Sequence, residues 1–109
     1  MLFWKNKKQK EHHIAVESVL ERINKKSLVF VVERGNFNGA SERVLGKNGA
    51  INVLEDVVVI LCNGTEVFRC NKEGIKAGEL MSGNGAMIEG IEPDTQIRRT
   101  VIAYYSYKR

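Results

Sequence analysis

A chain of 109 residues with 43% hydrophobic and 28% charged residues has the size and composition of one globular domain, large enough to bury a core without staples. No apolar run reaches the roughly 20 residues a membrane-spanning helix needs, and no apolar stretch follows the early lysines as a secretory leader requires. The two cysteines fit a reducing, cytoplasmic setting.

The net charge of +4 is unevenly spread. Residues 1–26 carry seven basic and three acidic side chains, residues 27–97 carry six and ten, and Arg98, Arg99, Lys108 and Arg109 close the chain. A polyanion would therefore meet the two ends before the body.

In chain order, Met1-Leu2-Phe3-Trp4 precedes Lys5, Lys7, Lys8 and Lys10, and residues 1–10 read as a basic tail. An apolar tip beside lysines suits an anionic membrane surface, where the tip enters the headgroup layer and the lysines hold lipid phosphates. A single domain, residues 11–109, follows. From Glu11 to Lys26 the pattern is helical: Val16, Val19, Leu20 and Ile23 fall on one stripe. After Ser27 the pattern turns to β. Strands are expected near 28–34, 39–46, 50–62, 65–71, 76–82, 86–91 and 97–106. Four Asn-Gly pairs, at 38–39, 48–49, 63–64 and 84–85, are candidate tight turns because both residues tolerate positive φ. The Asn63-Gly64 turn pairs Cys62 with Thr65, Ile60 with Val67, Val59 with Phe68 and Val57 with Cys70. That register keeps the two cysteines apart and unbonded, as small core residues. The fold class is mainly β: an N-terminal α-helix, then an antiparallel meander forming a small, partly closed barrel.

Little in the sequence points to catalysis. There is no nucleophile elbow, P-loop or Cys-x-x-Cys, and Gly83, Gly85 and Gly90 lack dinucleotide-loop spacing. Glu55 and Asp56, if in a strand, point to opposite faces and cannot share a proton. His12 and His13 have no cysteine or carboxylate at ligand spacing. A non-enzymatic protein without cofactor or metal is expected.

Two family resemblances add to this. Residues 28–75, through Ile51-Asn52 and Gly64-x-x-Val67-x-Arg69-Cys70, resemble the Sm/LSm group with its bacterial Hfq members, although Cys70 stands where that pattern has glycine. The likeness implies a helix, a bent five-stranded barrel, ring assembly and single-stranded RNA binding, with Asn52 and Arg69 contacting a base. Residues 55–91, through Gly64, Val67, Phe68, Ile75, Leu80, Gly83 and Ile88-Glu89-Gly90, resemble the YabP group of sporulation proteins, which implies a structural or self-assembling β module. The final segment adds Arg98, Arg99, Tyr104 and Lys108 as candidate phosphate and stacking groups. The expected function is thus an RNA-binding Sm-like module. Self-assembly, or a peripheral membrane adaptor acting through residues 1–10, is the alternative. A sheet with open edges is further expected to form a homo-oligomer.

Overall fold

The computed structural model describes residues 16–106. Lys5, Lys7, Lys8, Lys10 and Lys108 lie outside that range, as do residues 11–15 of the expected helix. The apolar stripe forms α1 (16–23), with Val16, Leu20 and Ile23 buried and Val19 half-buried. The helix stops before Lys26 because the neighbouring strand takes over the backbone. Lys25 adopts the left-handed region (φ 67°) and donates its N–H to the Ile51 carbonyl at 2.7 Å. The Asn24 side chain accepts the Val53 N–H at 2.8 Å.

Seven strands follow: β1 (Ser27–Phe37), β2 (Ala40–Val53), β3 (Val57–Cys62), β4 (Thr65–Asn71), β5 (Lys76–Glu79), β6 (Gly85–Ile91) and β7 (Arg98–Tyr104). They form one antiparallel sheet in the order β4-β3-β2-β1-β7-β6-β5. The helix followed by an antiparallel, partly closed sheet is as expected.

Two of the four Asn-Gly pairs make the expected turns. Asn38-Gly39 (φ 55° and 91°) joins β1 to β2, and Asn63-Gly64 (φ 52° and 78°) joins β3 to β4. The other two do not. Asn48 has φ 54°, but the chain runs on through it as one 14-residue strand, so Asn48 is a kink inside β2 and not a hairpin turn. Its neighbours explain the kink: Gly46 and Gly49 lie so close to β3 that a Cβ on Gly49 would sit 2.0 Å from the Leu61 carbonyl. The β2–β3 turn falls instead at residues 54–56, which places Glu55 and Asp56 in a turn rather than a strand. The last turn forms earlier, over Leu80 to Gly83, with Gly83 at φ 77° and its N–H on the Leu80 carbonyl, and Gly85 already belongs to β6.

The β3–β4 register also differs from the expected one. Cys62 pairs with Thr65, but a shift between Ile60 and Leu61 then sets Ile60 opposite Phe68, Val59 opposite Arg69 and Val58 opposite Cys70. Val67 is the extra residue of a bulge, which turns Phe68 and Cys70 inward. Both cysteines are free and buried.

The core lies on the inner face, where Ile51, Ile60 and Phe68 share one row and Val31, Ala103 and Ala86 another. The buried residues of α1 join this cluster. Each fully buried aliphatic or aromatic side chain contributes about 1.5–3 kcal/mol. The sheet curls until β4 meets β6, with which it is not hydrogen-bonded. Gly90 permits this contact, since a Cβ there would lie 2.6 Å from Cys70 Sγ.

Candidate binding surface

The expected contact residues fall into three groups. Asn52 and Arg69 come together. Asn52 pairs with Val59 and Val59 with Arg69, so the two polar residues flank Val59 on one outer face, about 10 Å apart at a spacing of ~4.8 Å per strand. The Asn52 side chain makes no hydrogen bond to another described residue. Arg69, by contrast, is already engaged: its Nε and Nη2 donate to Glu66 at 3.1 and 2.8 Å. That contact holds the Glu66 carboxyl below its usual range and raises the guanidinium further.

Arg98, Arg99 and Tyr104 share β7 but divide between its faces. Arg98 donates to Glu89 at 3.2 Å. Tyr104 stacks on Phe30 with ring centroids 4.5 Å apart. Arg99 turns inward, so it is not a surface phosphate contact. Its Nε and Nη2 both donate to Glu33 at 2.8 Å, and its guanidinium lies 5.3 Å from the Phe68 ring. Its side chain is 15% exposed.

Glu33, absent from the expected contact residues, is the buried charge among the described residues. It sits beside Val101 and Arg43 in the inner row, is 5% exposed, and accepts from Arg43 Nη2 at 3.0 Å as well as from Arg99. Glu92 receives the remaining Arg99 contact at 3.5 Å. The Arg99 hydrogen bonds hold the Glu33 carboxyl below its usual value, against burial, which pushes it up. The signal was present in the sequence: in Phe30-Val31-Val32-Glu33, strand alternation puts Glu33 on the same side as Val31. Two arginines satisfying one buried carboxylate is an arrangement for closing a seam. It offers no open coordination site and no nucleophile.

Burial pushes the Cys70 thiol up to about 11, against the lowering by a Val58 backbone hydrogen bond and the Arg99 charge, and pushes the Cys62 thiol upward too, so neither is activated. Among the described residues no cluster of His, Cys, Asp and Glu could hold a metal ion, and no helix is long and apolar enough to cross a membrane. The backbone edges remain. β4 and β5 end the sheet, and among the described residues no backbone group of β4 bonds to a strand beyond it. Compared with known proteins, the chain matches no family model, and no curated protein or solved structure matches it significantly.

Proposed function

We propose that this protein is a non-enzymatic β module that works by self-assembly, pairing the free β4 edge of one copy with an edge of the next. The observation that carries the reading is the open sheet itself. Its two end strands differ: β5 has four residues bracketed by Lys76 and Glu79, whereas β4 has seven, and its two charged residues, Glu66 and Arg69, are paired with each other. A long edge whose charges cancel is a template for another strand. The arginines expected to contact RNA favour the same reading, because Arg69, Arg98 and Arg99 are each taken up by a carboxylate of the same chain.

Light scattering on the full chain at tens of micromolar tests this. The expected mass is a multiple of the 12.3 kDa monomer. Thr65→Lys with Asn71→Lys, which lines the β4 edge with like charge, should reduce that mass. A monomeric wild type would sink the proposal.

A second reading has one observation in its favour. The Asn52–Val59–Arg69 row puts an amide with no partner among the described residues beside a guanidinium, as the Sm-like resemblance requires for reading a base of single-stranded RNA. Titrating fluorescent RNA at two salt concentrations tests it. Asn52→Ala should change base preference without changing the salt slope, because base contacts specify where phosphate contacts position. No binding at low salt would discard it. An anionic vesicle in the same titration tests the membrane contact of residues 1–10.

A further inference from the structure

Strands β1 and β7 carry an apolar patch on the side of the sheet away from the core. The register sets Val44, Val32, Ile102 and Met87 in one row there, with the stacked pair Phe30 and Tyr104 beside it. Strand alternation alone would make this side polar. The middle of the row is nevertheless closed to water. Ile102 is 1% exposed and Val32 5%, whereas Val44, at the end of the same row, is 60% exposed. The buried residues of α1 belong to the core cluster, and Val32 and Ile102 do not. The strand contacts of β1 and β7 are with their neighbours in the sheet. Side chains flanking a residue on one sheet surface shield it in part, and sealing it takes atoms packed above it. Among the described residues no helix or strand supplies those atoms.

We propose that Met1-Leu2-Phe3-Trp4 covers the Val32–Ile102 row of its own chain. The rest of the chain is residues 1–15 and 107–109, and three features single out this segment. It is four consecutive bulky apolar residues, whereas residues 107–109 are Tyr-Lys-Arg. Residues 5–15 span up to about 36 Å when extended, more than the two shorter extents of the fold, 30 and 28 Å. That length carries the segment from Val16 round to the other side of the sheet. Lys5, Lys7, Lys8 and Lys10 then come beside Phe30 and Tyr104, whose outer ring faces attract cations. This contact is separate from the β4 edge and does not rest on it. It also sets a condition on a membrane-facing role for residues 1–10, because the apolar tip can enter a headgroup layer only after leaving the sheet.

Trp4 is the only tryptophan, so its fluorescence reports on this segment directly. In the folded full chain its emission should be blue-shifted from that of the urea-unfolded chain, and acrylamide should quench it several-fold less. Met87→Glu puts a carboxylate at the half-buried end of the row. It should move the emission to the red and restore the quenching, with the circular dichroism unchanged. Leu2→Ser with Phe3→Ser loosens the cover from the other side. Its Trp4 emission should also move to the red, and the uncovered row should bind the dye ANS, which the wild type should not. The second variant changes no residue of the sheet, so its result stands even where Met87→Glu disturbs the fold. A folded wild type whose Trp4 emits and is quenched as in urea would overturn the proposal. So would Leu2→Ser/Phe3→Ser and Met87→Glu proteins that keep the wild-type emission. An emission that turns red on dilution overturns it as well, because the segment then covers the row of a second copy and not its own.

Discussion

The curled sheet has a closed inside and an open outside, and arginine serves the two differently. Inside, Arg99 holds a carboxylate that is 5% exposed. Outside, on β4, Arg69 holds Glu66 in the open, with side chains 38% and 43% exposed. The two hydrogen-bond geometries are similar. Their energetic weight is not, because water screens and competes for the outer pair while the inner pair has no substitute for its partners. An ion pair's contribution follows from what surrounds it.

Removing the inner cation breaks that comparison most severely. Arg99→Ala leaves Glu33 buried with only the half-exposed Arg43 to satisfy it, and should cost about 3 kcal/mol in urea unfolding. Gly90→Ala attacks the contact of β4 with β6 through space. The added methyl meets Cys70 Sγ and Cβ at 2.6 and 2.8 Å, and the strain should cost about 2 kcal/mol. Acid sharpens the contrast. Glu33 has its carboxyl lowered in the folded state, so its contribution is complete above the ordinary glutamate value of about 4.3 and is lost as pH falls through the lowered one. Glu33→Gln should be less stable than the wild type at pH 7, and the gap between their melting temperatures should narrow steadily toward pH 3. The smallest effect belongs to the outer pair: Arg69→Ala should leave the urea midpoint unchanged, and a large shift would mean the β4 edge is covered in solution.

Local signals were legible wherever the local conformation decides the outcome. The stripe of α1 and the turns at Asn38-Gly39 and Asn63-Gly64 follow from side-chain period and positive-φ tolerance, whereas the expected strands 39–46 and 50–62 are redrawn as β2 (Ala40–Val53) and β3 (Val57–Cys62). Asn48-Gly49 carries the same dipeptide signal and gives a different result. There the deciding factor is the approach of β3 to Gly46 and Gly49, which comes from residues distant in sequence. The Val67 bulge was hidden for a related reason. Both faces of β3 are apolar, so a one-residue slip costs little in pattern and the register is weakly marked. Of the candidate site, the approach of Asn52 to Arg69 was not legible either, since it depends on the turn at 54–56 and on the Val67 bulge that sets Arg69 opposite Val59. Nor was the engagement of Arg69, Arg98 and Arg99 by carboxylates, since their partners lie 3, 9 and 66 residues away.

β1 lies in the middle of the sheet, yet one of its two neighbours is the last strand of the chain: Phe30 pairs with Tyr104 and Arg34 with Thr100. During synthesis, β1 to β4 can zip together through short turns while the other side of β1 still has no strand to bond. Only when residues 98–104 emerge can Val31 and Glu33 be covered and Arg99 reach its carboxylate. Closing so long a loop is slow compared with hairpin formation. The order in which the ribosome delivers these strands therefore leaves a central strand as a temporary edge while β2 to β6 are made, open to pairing with other chains until β7 arrives.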